Sequence, residues 1–152
     1  MVGIDIDITQ NRPLRLGLAL ADGVLWDNDI AAERIRAADL GDIWRRSARL
    51  RRDRPDVDIV ADIEIVIAAD ARTARSLMGS TDVDGTEGAM LYVGTPSGLA
   101  GLIADIHALG IADGAVLIPK AAGTAELVRD AVLPLLDTML RLPGSAPEAR
   151  PA

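Results

Sequence analysis

Cysteine and phenylalanine are absent from this 152-residue chain, and His107 is its one histidine. Without cysteine there is neither a disulfide nor a thiolate metal site, and a single histidine removes most imidazole chemistry. Aromatic residues make up 2% of the chain, so a core must be assembled from Ala, Leu, Ile and Val, which belong to the 49% hydrophobic fraction. No apolar run approaches the ~18 residues of a membrane span. The N-terminal segment carries Asp5 and Asp7 where a signal peptide needs a basic start and an apolar stretch, so a cytoplasmic protein is expected. Lysine is also scarce, with Lys120 the single one, and the 23 acidic residues outnumber the 16 basic ones. The formal net charge of −7 argues against a nucleic-acid surface, which needs a basic face. The one basic cluster, Arg45 to Arg54, is interrupted by apolar residues and Asp53 and reads as a solvated helix end rather than a phosphate site.

What is present is a regular alternation of strand-like and helix-like segments. Ile4, Ile6 and Ile8 alternate with Asp5, Asp7 and Thr9, the period-two pattern of a strand, followed by a polar turn at Thr9-Gln10-Asn11-Arg12. Leu14 to Ala21 is expected to be a short helix, and Val24 to Trp26 a second strand. Ile30 to Arg52, rich in Ala and Arg, is expected to be a helix or two helices broken near Gly41. Val57 to Ala68 is the longest β-branched run. It places Ile59, Ala61, Ile63, Ile65 and Ile67 on one face and Asp58, Asp62 and Glu64 on the other. Asp70 caps a helix through about Met78, and Gly79 to Gly88 has loop composition. Leu91-Tyr92-Val93 leads into Gly94-Thr95-Pro96, where Thr95 can cap a helix and Pro96 suits its first position. That helix should end at Gly110. Ala115 to Pro119 reads as a fourth strand and Ala125 to about Leu142 as a final helix, before a Pro-rich, disordered tail over residues 143–152. With no hairpin evident, four βα units on a parallel sheet are expected, half of an eight-stranded (β/α) barrel, forming one domain over residues 1–142.

These pieces resemble the C-terminal half of the luciferase-like monooxygenase superfamily. The resemblance runs over about residues 2 to 142 and rests on Ala21-Asp22-Gly23-Val24, on Ile67-Ala68-Ala69-Asp70-Ala71-Arg72-Thr73-Ala74, and on a closing unit of three parts. That unit is Val93-Gly94-Thr95-Pro96, then Gly114-Ala115-Val116-Leu117-Ile118-Pro119, then the mid-helix Leu133-Pro134. The resemblance implies a bacterial-luciferase type barrel and an oxidoreductase or monooxygenase that uses FMN or a deazaflavin coenzyme on a small-molecule substrate. Where the family has a glycine-rich turn near the coenzyme phosphate, this chain has Thr9-Gln10-Asn11-Arg12, so side chains would make that contact. The chain begins almost at its first strand, and no segment corresponds to the family's N-terminal four units. A homodimer or a complementary N-terminal half-barrel is therefore expected to complete the site. The alternative is a non-catalytic truncated homologue or assembly module of the same fold.

Candidate cofactor-binding residues follow from position. Thr9, Gln10, Asn11 and Arg12 would stand at a strand's C-terminal end beside a helix start, where hydroxyl, amide and guanidinium groups can meet an anion. Trp26 and Asn28 share one parity at the end of the second strand, where an indole can wall a flavin ring or fill the core. Lys120, Gly123 and Thr124 follow the last strand, a common phosphate position in barrels. Asp5, Asp7, Asp62 and Glu64 read as charges lining the barrel interior or pairing with arginines of a partner. His107 reads as structural. No metal site is expected, and no catalytic residue is assigned.

Overall fold

The computed structural model of the protein describes residues 13–27, 32–80 and 88–141. The strand and turn expected over Ile4 to Arg12, Asn28, and the tail at 143–152 lie outside the described residues.

Strand β4 (Ile59–Ile67) is the centre of the molecule, and all nine of its residues are buried. Its odd-numbered residues enter the main hydrophobic core, while Val60, Asp62, Glu64 and Val66 face the other way. On one side β4 pairs in parallel with β6 (Gly114–Pro119). Its other edge is shared by β3 (Glu33–Ile35), opposite Ile59 to Ala61, and by β5 (Met90–Gly94), opposite Ile63 to Ile67. Beyond β6 lie β1 (Arg15–Leu20), also parallel, and β2 (Gly23–Trp26), antiparallel to β1. The fold is mixed α/β with a curled, mostly parallel half-barrel sheet. Among the described strands, β6 is the last in sequence yet lies inside the sheet, between β1 and β4, and it does not pair with β5, the strand that precedes it.

Three segments depart from the expected assignment. Leu14 to Ala21 is not a helix but β1 and the start of a hairpin. Leu16, Leu18 and Leu20 alternate with Arg15, Gly17 and Ala19. Gly23, at φ 142°, takes the conformation that lets Ala21-Asp22 turn the chain back in two residues. Ile30 to Arg52 is likewise not one long helix. Glu33–Ile35 is β3, and α1 (Leu40–Asp53) starts only where Asp39 accepts a hydrogen bond from the Asp42 backbone N–H at 2.8 Å. Gly41 lies in the first turn of α1 and breaks nothing. Lastly, Met90–Gly94 is a strand in its own right, β5, held to β4 along five residues.

The remaining helices follow their sequence signals. In α2 (Ala71–Ser80) the Asp70 carboxylate accepts from the Thr73 N–H at 2.8 Å and from its hydroxyl at 3.1 Å. Thr73's backbone N–H, foremost, holds the Asp70 carboxyl below its ordinary value. A depressed folded-state value stabilises the fold at neutral pH and is lost as pH falls through it. Asp70→Asn is therefore expected to lower the urea midpoint at neutral pH and to flatten the acid limb below about pH 4, where carboxylates protonate, so that the two profiles converge at low pH.

In α3 (Pro96–Ala108) the Thr95 hydroxyl accepts from the Gly98 N–H at 3.2 Å, and Gly110, at φ 71°, ends the helical turn. Thr95→Ala should cost about 1 kcal/mol in urea denaturation. The last helix runs as α4 (Thr124–Leu127), a π-helical turn (Val128–Val132) and α5 (Leu133–Arg141). Pro134 has no N–H to give to the preceding turn and crowds the carbonyl four residues back. The widened turn just before it relieves that conflict.

Ile43 of α1, Leu99, Ile103 and Ile106 of α3, Val128 and Val132 of the π turn and Leu136 of α5 all join the core formed by the odd face of β4. These helices therefore cover one face of the sheet. Ala74 of α2 is fully buried but lies outside that cluster.

Candidate functional site

The opposite face of the sheet mixes buried Val60, Val66 and Val116 with paired charges. Arg15 on β1 is 2% exposed. Its Nε donates to Asp27 Oδ1 at 3.1 Å and its Nη1 to Asp58 Oδ2 at 2.8 Å. Burial works against its charge, but the two carboxylates more than offset this, and its pKa is raised. The Trp26 ring centroid lies 5.8 Å from the Arg15 guanidinium carbon, a cation–π contact. The indole also lies over Gly17. A Cβ there would stand 3.0 Å from Val24 Cγ1 and 3.1 Å from Trp26 Cε3, so the absent side chain is what admits the ring.

Next along this face, Arg34 of β3 grips Asp62 with two bonds, Nε to Oδ1 at 2.8 Å and Nη2 to Oδ2 at 3.2 Å. Arg36 stands 3.4 Å from Asp62 Oδ2 and 3.9 Å from Glu64 Oε2. The Asp62 and Glu64 side chains are only 5% and 2% exposed, whereas Arg34 and Arg36 reach solvent. The interior carboxylates thus find their arginines within this chain. With both oxygens of Asp62 engaged by guanidinium groups, this is a rigid charged lining and not an acid–base pair. Arg15, Arg34 and Arg36 had no local motif to single them out, because their carboxylate partners lie on other segments of the chain; Asp58 was legible only through the parity it shares with Asp62 and Glu64. Asp5 and Asp7 lie outside the described residues.

Of the candidate cofactor residues, Lys120, Gly123 and Thr124 meet at the C-terminal edge of the parallel strands. Lys120 is half-buried, and its backbone N–H donates to the Ile65 carbonyl at 3.0 Å, which ties the end of β6 to β4. Gly123 is exposed at φ 84°, a left-handed conformation that turns the chain into α4. Thr124 is fully buried and its hydroxyl accepts from the Ile67 N–H at 3.5 Å, so it faces inward.

Trp26 does not join this group. The sequence placed it at the end of a second parallel strand, but β2 runs antiparallel and its end points to the other edge of the sheet. Trp26 pairs with Gly17 and Gly17 with Val116, so Lys120 is four residues further along. That is roughly 13 Å along the strands and 10 Å across them. Thr9, Gln10, Asn11, Arg12 and Asn28 lie outside the described residues. His107 occupies the last turn of α3, and Trp44 is 53% exposed on α1. Among the described residues, no group of three His, Asp or Glu side chains is arranged to hold a metal ion, and no helix is long and apolar enough to cross a membrane.

Comparison of the chain with protein-family models and with curated proteins finds no match.

Proposed function

We propose that this chain is one half of a luciferase-like (β/α) barrel. The charge-bearing face of its sheet is one wall of a site for FMN or a deazaflavin coenzyme, completed by a second copy or by a complementary half-barrel. The observation that supports this most is the separation of the two faces. The helices α1, α3 and α4–α5 gather on one face of β4, and the other carries Arg15, Gly17, Arg34, Asp62 and Glu64 beside the buried Val60, Val66 and Val116. Outer helices around a lined interior are the plan of a (β/α) barrel. The described residues fit the phosphate end of such a coenzyme, for Lys120 offers a cation beside the open Gly123 turn. The bound coenzyme would supply the hydride or oxygen chemistry, and this chain would orient it and exclude water. Trp26, turned to the far edge, serves Arg15 and Gly17 instead of the phosphate end.

Incubating the full chain with FMN or a reduced or oxidised deazaflavin, then separating by size, tests the proposal. An oligomer that retains chromophore is expected. A monomer with no chromophore overturns it. An oligomer that retains none favours a second reading, an assembly module that kept the half-barrel but not the chemistry. The engagement of Asp62 and Glu64 by Arg34 and Arg36 supports that second reading.

A further inference from the structure

A separate cleft lies between β3 and the flank of α1, away from the charge-bearing sheet face. It has a volume of about 440 Å³ and is lined by Ile35, Arg46, Arg49, Leu50 and Asp53. The cleft is open to solvent, so a ligand would lie against its wall and not be enclosed. Ile35 and Leu50, residues of the core and its margin, form an apolar floor. The two arginines outweigh the one carboxylate, Asp53, and leave the wall net positive.

The arginines of this helix are not equivalent. Arg46 is held by Asp42 at 3.1 Å and by the Arg36 carbonyl at 3.1 Å. Arg45, Arg51 and Arg54 likewise have carboxylate partners at Asp42, Asp113 and Glu33. Arg49 and Arg52 have no ion-pair partner among the described residues, and of these two only Arg49 lines the cleft. Arg46 is therefore positioned in advance by its own contacts, and Arg49 is free to accept a new anion beside an apolar floor.

We propose that this cleft binds an organic anion, a carboxylate or phosphate carried on a short aliphatic body. The anionic head sits on Arg49 with support from Arg46, and the body lies on Ile35 and Leu50. A guanidinium–anion bond with partial exclusion of water is the directional part of such binding, and the apolar floor discriminates against hydrophilic anions of the same charge.

Octanoate is a suitable carboxylate probe and octyl phosphate its phosphate counterpart, with acetate and octanol each lacking one half of the recognition. Titration of the full chain followed by NMR shifts of the Ile35 and Leu50 methyl groups should show saturable binding of either eight-carbon anion, and weaker binding of acetate and octanol. Arg49→Ala is expected to weaken octanoate about tenfold, the loss of one charge-assisted hydrogen bond. Arg52→Ala removes the same charge from the same helix outside the cleft and should leave the affinity unchanged. Both side chains are exposed, so neither change threatens folding. Equal losses in the two variants would show diffuse attraction to a basic helix and overturn the proposal. So would methyl shifts that fail to saturate, or octanol binding as tightly as octanoate.

Discussion

Replacing Gly114 with alanine is expected to cost roughly 3 kcal/mol or more, above the ordinary range for overpacking. Gly114 opens β6 and stands in register with Arg15 of β1 and Val60 of β4 at once. A Cβ at this position would overlap the carbonyl oxygen, carbonyl carbon and amide nitrogen of Arg15. A backbone neighbour cannot turn aside as a side chain would, so β1 itself must shift. With it would go the Arg15 bonds to Asp27 and Asp58 and the seat of Trp26 over Gly17. Gly101 offers a control within α3, where a Cβ would meet nothing within 4 Å. Gly101→Ala should stabilise by about 0.5–1 kcal/mol through helix propensity. Urea denaturation of the two variants should thus give opposite signs, and a neutral Gly114→Ala would mean that β1 and β6 do not pair as described. Trp26 fluorescence in folded Gly114→Ala should also change, because the indole moves with β1.

Asp113→Ala is expected to cost about 3–4 kcal/mol, because it strips two partners at one buried point. Asp113 is 4% exposed. Its Oδ2 accepts from the Ile59 N–H at 2.9 Å and its Oδ1 from Arg51 Nη2 at 2.9 Å. Its backbone N–H donates to the Ile59 carbonyl at 2.7 Å, and its carbonyl accepts from the Arg15 N–H at 2.9 Å. One residue therefore sets the starting register of β1, β4 and β6 and also docks the end of α1. Asp113→Asn keeps a carbonyl oxygen for the Ile59 N–H and should recover at least half of the loss. Equal losses for the Ala and Asn variants would assign the whole effect to the Arg51 ion pair.

Why some elements were legible in the sequence and others were not follows from where their information lies. β4 is nine residues of mostly β-branched side chains, long enough for parity alone to define it. α3 carries both its signals locally, with Thr95-Pro96 at the start and Gly110 at the end. β1 was harder, because a six-residue leucine-rich segment satisfies helix and strand patterns alike, and only pairing with β6 selects the strand. β3 is three residues long and exists because β4 offers it an edge. Its identity is a property of the partner. In the candidate site, the parity of Asp62 and Glu64 was readable, but their pairing with Arg34 and Arg36 crosses from one strand to another. The position of Trp26 depended on a single turn: the Ala21-Asp22 hairpin reverses β2 and sends the indole to the opposite edge from Lys120.

What the sequence determined by itself is therefore local: the βα character, the caps at Thr95 and Asp70, the two-faced β4, and the lack of cysteine that removes thiolate chemistry. Each of these rests on side chains within one turn or one strand of each other. Tertiary structure alone decided strand order, the direction of β2, the internal pairing of Asp62 and Glu64, and the cleft beside α1. These rest on contacts between segments far apart in the chain, such as Arg15 with Asp58, Arg34 with Asp62 and Arg51 with Asp113. Their energies appear only once the backbone has already brought the partners together, and no local pattern records them.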